Sequence, residues 1–248
     1  MTHSVGPSVS VTAIIPAFDE QARLPATIEA LTEVSAIDHL LVVDDGSSDA
    51  TANVGRAAGA EVLELGKNRG KGAAMESGVR FLWSKGRATE DDHVLLFLDA
   101  DLQSTAGAAE VLIPPVTSGA TDMCIANLPT QDASGGGHGF VVELARAGIR
   151  QATGEVMKQP LSGQRAMTTR AFKGALPLAR GFGVEVGLTI DVLRAGLRVI
   201  EVPSEFQHRV TGRDFKAQVH RANQFYWVWR ALRGRGVGPA LPLPRRTY

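Results

Sequence analysis

The sequence predicts an α/β protein with a mostly parallel sheet flanked by helices, and three observations predict it. Short apolar runs alternate with longer amphipathic segments, the pattern of repeated strand-helix-strand units. The run Val94-Leu95-Leu96-Phe97-Leu98 is apolar throughout, as a strand buried on both faces must be. Acidic residues follow it at once in Asp99-Ala100-Asp101, at the strand tip where open α/β sheets bind their ligands. A chain of 248 residues with ordinary apolar content is long enough to bury one large domain of this kind.

The elements follow in order. Val9 to Pro16 reads as the first strand. Gln21 to Thr32 reads as a helix because Leu24, Ile28 and Leu31 recur on one face. His39 to Asp44 is the second strand, Asp49 to Ala58 a helix, and Glu61 to Leu65 the third strand. A Gly-rich turn leads to a helix from Gly72 to Ser84 and then to the strand that ends at Asp99. Ala106 to Ser118 reads as a helix and Asp122 to Ala126 as a strand. After Thr130 the pattern loosens, and Asp132 to Gly139 reads as a mobile loop. Gly181 to Glu185 opens an amphipathic helix carrying Val186, Leu188, Ile190, Val192 and Leu193; a strand from Arg198 to Val202 and a helix around Ala222 to Arg233 complete the chain. The expected divisions are a flexible N-terminus at 1–8, a first half at 9–126, a second at 127–213, and a C-terminal helix and tail at 214–248.

Composition narrows the function. Lys and Arg total 26 and Asp and Glu total 26, a balance that argues against a nucleic-acid partner held by a basic face. The single cysteine, Cys124, lies in the apolar stretch Met123-Cys124-Ile125-Ala126 and reads as a buried, inert thiol, so no disulfide framework forms within one chain. Met1 to Ser8 does not read as a signal peptide, and no apolar stretch reaches membrane-spanning length. The expected location is the cytoplasm, with the inner face of the membrane as a variant of that expectation.

Several strand tips carry chemistry. Two carboxylates ~4 Å apart repel by about 4 kcal/mol at an effective dielectric near 20, so Asp99 and Asp101 call for a cation beside them. A divalent metal carrying a diphosphate satisfies both, although Asp-x-Asp also occurs by chance in loops. The first βα turn, Pro16-Ala17-Phe18-Asp19-Glu20, lacks the glycines of a nicotinamide-binding site. Gly66-Lys67-Asn68-Arg69-Gly70-Lys71-Gly72 is one residue short of a P-loop and has Gly72 where Ser or Thr would hold magnesium, which argues against kinase or ATPase chemistry. In Asp44-Asp45-Gly46-Ser47-Ser48-Asp49, Gly46 permits a sharp turn and Ser48 or Asp49 can cap a helix. The two carboxylates there share a sheet edge with Asp101 and can accept hydrogen bonds from a base or ribose.

Pro16 to Glu20, Asp44 to Asp49, Asn68-Arg69-Gly70-Lys71-Gly72 and Asp99-Ala100-Asp101-Leu102-Gln103 occur in the order typical of family 2 glycosyltransferases, and Val9 to Arg213 resembles that family. The resemblance implies the Rossmann-like glycosyltransferase A (GT-A) fold, with a nucleotide-sugar-binding first half and an acceptor-side second half. It implies a nucleotide-diphosphate sugar donor of the UDP-glucose or GDP-mannose type. On it, Pro16, Ala17, Phe18, Glu20 and Asp45 contact the nucleoside, Lys71 lies near the base and phosphates, Asp99 holds ribose or metal, and Gly70 and Ala100 are further donor-binding residues. Asp101 then binds Mg²⁺ or Mn²⁺, which neutralises the leaving diphosphate. Gln103 or His208 completes the metal shell.

Leu161-Ser162-Gly163-Gln164-Arg165 offers a glycine that lets backbone approach a ligand and an arginine able to grip phosphate or carboxylate; an exposed loop arginine fits the sequence equally well. Similarity to the Ser-Gly-x-Arg segment of polyprenyl-phosphate and dolichyl-phosphate sugar transferases implies acceptor and catalytic roles for Gly163 and Arg165. Glu185 favours its helix dipole or, by the family resemblance, orients the acceptor or acts as a base, and its segment also resembles the matching one in glucosyl-3-phosphoglycerate synthases. Arg209 and Arg213 would bind donor diphosphate or an anionic acceptor. The C-terminal helix, with Phe225, Tyr226, Trp227 and Trp229 beside Arg221, Arg230, Arg233 and Arg235, reads as a packed helix with a basic edge; a peripheral membrane contact and a homodimer contact are the other readings. The expected function is metal-dependent hexosyl transfer to a phosphorylated small molecule, a lipid phosphate or a hydroxyl acceptor. A sugar-phosphate nucleotidyltransferase is the alternative enzyme, though Pro16 to Glu20 lacks its Gly-rich basic loop, and a non-catalytic sugar-nucleotide-binding module is the alternative without chemistry.

Overall fold

The computed structural model describes residues 9–88, 93–129, 138–206 and 215–238. In chain order the elements are β1 (Val11–Ala17), α1 (Leu24–Thr32), β2 (His39–Asp44), α2 (Thr51–Ala57), β3 (Glu61–Glu64), α3 (Lys71–Ser84) and β4 (Val94–Phe97). A 3₁₀ segment (Gln103–Leu112), α4 (Ile113–Thr117), β5 (Met123–Asn127), α5 (His138–Thr153), β6 (Arg165–Thr168) and α6 (Thr169–Gly174) follow. A short 3₁₀ turn (Gly181–Gly183), α7 (Val184–Arg194), β7 (Val199–Pro203) and α8 (Phe215–Gly234) complete the described chain.

The strands form one seven-stranded sheet in the order β3-β2-β1-β4-β6-β5-β7. All pairings are parallel except those of β6, which runs antiparallel between β4 and β5 with Phe97 opposite Arg165 and Cys124 opposite Ala166. That reversal matters for the site. The C-terminal ends of β1, β2 and β4 and the N-terminal end of β6 all meet at one edge.

The alternation of side chains along each strand divides the core in two. Ile14, Leu41, Val43, Leu95 and Phe97 face Val79 and Leu82 of α3, Phe172 of α6 and Leu188 of α7. Ala13, Ile15, Val42 and Leu96 face Leu24, Ile28 and Leu31 of α1 and Leu112 before α4. Helices thus cover both faces, which is why β4 is buried at every position. Each such aliphatic or aromatic side chain contributes about 1.5–3 kcal/mol on burial. Cys124 lies in this core, and burial pushes its thiol up to about 12, so it is inert.

The structure departs from the sequence reading in both halves. The expected helix Ala106 to Ser118 is a 3₁₀ segment followed by a short α-helix. Pro114 and Pro115 withhold the amide donors a continuous α-helix needs there. The segment expected to be a loop through Gly139 gives way to α5 from His138, whose Val141, Leu144, Ala145 and Ile149 are buried at helical spacing. Strand β6 and helix α6 have no counterpart in the sequence reading. Helix α1 begins at Leu24 rather than Gln21, after a turn in which the Arg23 and Leu24 amides both donate to the Glu20 carbonyl. No helix among the described residues is long and apolar enough to cross a membrane.

Candidate active site

At the shared sheet edge lies a cleft of about 670 Å³, lined by Pro16, Phe18, Glu20, Lys71, Asp99, Ala100, Asp101, Gly163 and Glu185 together with the apolar Val141, Leu161, Phe182 and Val228. Its size suits a small-molecule site. Each polar member sits where a strand or helix begins or ends. Phe18 and Glu20 leave β1, Asp99 and Asp101 leave β4, Lys71 opens α3, and Glu185 stands in the first turn of α7.

The turn after β4 is fixed by a neutral group. The Thr27 hydroxyl of α1 donates to the Ala100 carbonyl at 2.8 Å and accepts from the Gln103 amide at 2.8 Å, so it clamps the loop on both sides of Asp101. The turn after β2 is fixed differently. Asp45, 4% exposed, accepts from the Arg69 amide at 2.9 Å and the Gly70 amide at 2.7 Å, while Asp44 Oδ1 accepts from the Ser47 amide at 2.9 Å. Asp44 therefore shapes its own turn, and Asp45 holds the loop that presents Lys71.

Lys71 bridges the two sides of the cleft. Its Nζ lies 2.5 Å from Asp99 Oδ1 and 3.0 Å from Glu185 Oε1. Burial alone would push the ammonium down, but the negative charges of Asp99 and Glu185 outweigh it and hold the pKa above the ordinary lysine value. Lys71 is a fixed cation at neutral pH. Asp99 Oδ2 also accepts from Gln164 Nε2 at 2.6 Å. A Cβ at Gly163 would lie 2.5 Å from Lys71 Nζ and 2.7 Å from Asp99 Oδ2, so a side chain there would push this pair aside.

Four carboxylates, Glu20, Asp99, Asp101 and Glu185, face this cleft. Lys71 answers Asp99 and Glu185, and Arg23 Nε answers Glu20 at 2.7 Å. The hydrogen bond to Glu20 raises the Arg23 pKa, with burial opposing and the charges of Glu20 and Asp101 adding to the rise. Asp101 itself makes no hydrogen bond or ion pair among the described residues. It is a hard oxygen donor that has no hydrogen bond or ion pair to give up on meeting a cation, and Mg²⁺ is commonly held by one or two carboxylates plus substrate phosphates and water. No cluster of three or more His, Cys, Asp or Glu that could hold a metal occurs among the described residues.

The remaining candidates fall into distinct places. Ala17 and Gly70 support the cleft without lining it, and Gln103 is exposed on the turn outside it. Arg165 does not line the cleft. It is 1% exposed beneath the cleft, donating to the Ser162 and Glu185 carbonyls and, at 3.4 Å, to Thr189 Oγ1. Burial pushes its pKa down to about 10 against the pull of Glu185, Asp99 and Glu201, so it remains charged at neutral pH. Its role is to position the segments bearing Gly163 and Glu185. His208, Arg209 and Arg213 lie outside the described residues. Sequence reasoning missed Thr27 and Gln164, whose partners are 73 and 65 residues away in the chain; the only local signal was the adjacency of Gln164 to Gly163.

The sheet order, with its acidic strand tips facing one cleft, defines an α/β protein of the GT-A type. The chain belongs to glycosyl transferase family 2, whose sequence profile residues 12–140 match. The chain is similar to the glucosyl-3-phosphoglycerate synthase of Mycobacterium tuberculosis (strain ATCC 25618 / H37Rv), 32% identical over 215 residues that cover 77% of this chain and 63% of the relative. It is also similar to the dolichyl-phosphate beta-glucosyltransferase of Drosophila melanogaster, 40% identical over 111 residues covering 38% of this chain and 32% of the relative. Among solved structures, it superposes on the Mycobacterium tuberculosis glucosyl-3-phosphoglycerate synthase in complex with Mn²⁺, uridine diphosphate and phosphoglyceric acid, with a TM-score of 0.72 and 26% identity over 95% of this chain and 80% of that one. The chain spans 63% of the length of the mycobacterial relatives it matches.

Proposed function

We propose that this chain is a metal-dependent hexosyltransferase that moves a sugar from a uridine-diphosphate donor to a phosphorylated acceptor. The observation that carries the reading is Asp101, a carboxylate without a described partner at the tip of β4, facing a cleft in which the other carboxylates are already answered. The relative solved with Mn²⁺, uridine diphosphate and phosphoglyceric acid supports the donor, the ion and the acceptor class. Asp101 would hold Mg²⁺ or Mn²⁺, with Asp99 beside it, and the ion supplies charge neutralisation for the departing diphosphate. In the transfer, the bond from the anomeric carbon to the diphosphate oxygen breaks with its electron pair leaving on the nucleotide, and the acceptor oxygen bonds to that carbon. Phe18 and Glu20 line the nucleoside end. Lys71 keeps Asp99 and Glu185 in place and adds positive charge near the phosphates. Glu185 orients an acceptor hydroxyl and takes its proton; an ionised phosphate acceptor carries none.

A second reading of the acceptor, a lipid phosphate, is favoured by the apolar wall of Val141, Leu161, Phe182 and Val228, by Phe140, 49% exposed at the start of α5 beside Val141, and by the dolichyl-phosphate relative. Thermal shift with UDP or GDP, with and without Mn²⁺, tests the donor. UDP with Mn²⁺ is expected to raise the midpoint, by about 2.7 kcal/mol of apparent stability at a hundred times the dissociation constant. Stabilisation by neither nucleotide sinks the reading. Incubation with UDP-glucose and either 3-phosphoglycerate or a polyprenyl phosphate then separates the two acceptors.

A further inference from the structure

Behind the candidate active site lies a second cavity of about 680 Å³, between the segment that precedes α7, α7 itself and α8. Its charged lining is one-sided. Arg180, Arg194, Arg230 and Arg235 face it, and Asp191 is the only carboxylate among its described lining residues. Arg235 grips Asp191 through both Nε, at 2.8 Å, and a terminal nitrogen, so that pair is internally neutral. Arg194 is held only by carbonyls, those of Ala152 at 3.3 Å and Arg235 at 2.8 Å. Arg230 lies over the Trp227 ring, 5.5 Å from its centroid, with Tyr226 Oη accepting at 3.2 Å. The Arg180 side chain makes no hydrogen bond or ion pair among the described residues, and the residue is exposed. Three arginines thus line one hollow in which the one described carboxylate, Asp191, is already taken by Arg235.

We propose that this cavity is a second binding site, for a small phosphate-bearing anion. Like charges gathered in a concave, partly apolar wall focus the field and raise the local concentration of counter-ions. Guanidinium groups present planar donors that match phosphate oxygens in pairs. Trp227, already stacked under Arg230, gives the anion an apolar floor. The site is separate from the cleft: the segment Ala179–Gly183 divides them, with Arg180 facing the cavity and Phe182 facing the cleft. Gly181 seals that wall, because a Cβ there would lie 2.5 Å from the Trp227 ring.

The phosphate could belong to a soluble metabolite or to a lipid headgroup at a membrane surface, and two arms distinguish them. Calorimetric titration of the full chain with inorganic pyrophosphate in the presence of EDTA is the first. Co-sedimentation with phosphatidylglycerol and phosphatidylcholine vesicles is the second. At least one arm is expected to show binding, and the double variant Arg180→Ser with Arg230→Ser is expected to weaken it at least tenfold while leaving the thermal midpoint unchanged. Arg180→Glu alone, which alters a side chain without a described partner, is expected to weaken it in the same direction. Pyrophosphate binding identifies a soluble phosphate, and vesicle binding without it identifies a headgroup. Binding that survives both variants, or no binding of either probe to the wild-type chain, overturns the proposal. Neither arginine lines the candidate active site, so this result stands apart from that of the donor test.

Discussion

The two walls of the cleft hold their polar groups in opposite ways. Beneath the wall built by the first half, the two carboxylates of the turn after β2 are anchored by backbone amides and a hydroxyl, Asp45 by the Arg69 and Gly70 amides and Asp44 by Ser47. On the wall built by the second half, a guanidinium is anchored by backbone carbonyls, as Arg165 is by Ser162 and Glu185. Lys71 and Asp99 join the two. Local turns can prearrange acceptors for their own amides, whereas a cation needs carbonyls that only the assembled fold brings together. The first half therefore presents a free charge, Asp101, and the second a buried one.

The sharpest way to break this comparison is to exchange the expected consequences. Asp101→Ala is expected to lower kcat by on the order of 10²–10³-fold, with the thermal midpoint close to that of the wild type because the carboxylate makes no hydrogen bond or ion pair among the described residues and feels Arg23 only through its charge. Arg165→Met is expected to do the reverse. Losing charge-assisted bonds to the Ser162 and Glu185 carbonyls costs about 1.5–3 kcal/mol of unfolding free energy in urea, with measurable transferase activity remaining in the folded fraction. A stable but inactive Arg165→Met chain would return that residue to the chemistry and erase the distinction.

The smallest effect is expected where the halves join away from the cleft. Asp122, before β5, pairs with Arg170 at 2.6 Å and accepts from the Arg198 amide at 2.9 Å. Burial opposes ionisation of Asp122, but these hydrogen bonds and the Arg170 and Arg198 charges outweigh it and hold the pKa below the usual carboxylate range. A depressed folded-state pKa contributes stability that is fully present above the unfolded value near 3.9 and is lost as pH falls through the folded value. Urea unfolding between pH 6 and pH 3 is expected to show a shallower acid loss in Asp122→Asn than in the wild type. An identical pH profile would mean that this seam does not couple the halves.

The contrast also explains what was legible in the sequence. Asp101, Lys71 and Glu20 each lie at a strand end or helix start inside a contiguous motif, so their convergence follows from the alternation of strands and helices. Arg165 was misleading because a loop arginine is ordinarily solvated, and nothing local signals that β6 inserts antiparallel between β4 and β5. Thr27 is silent for a related reason: its hydroxyl sits on a helix that reads only as an apolar stripe, and its partners come from the far side of a strand. Helix α5 was hidden by the Gly-rich stretch that precedes it, although Val141, Leu144, Ala145 and Ile149 carry its period.

The Thr27 clamp has a consequence for how the cleft responds to its surroundings. The turn bearing Asp101 is held by a hydroxyl that neither gains nor loses a proton, through bonds that mobile ions screen little. The opposite wall is tied through the charged pair of Lys71 and Glu185. Rising ionic strength therefore acts on the wall that carries Glu185 before it acts on the turn that carries Asp101. Concentrated salt should thus raise KM for the acceptor before it changes affinity for the divalent ion.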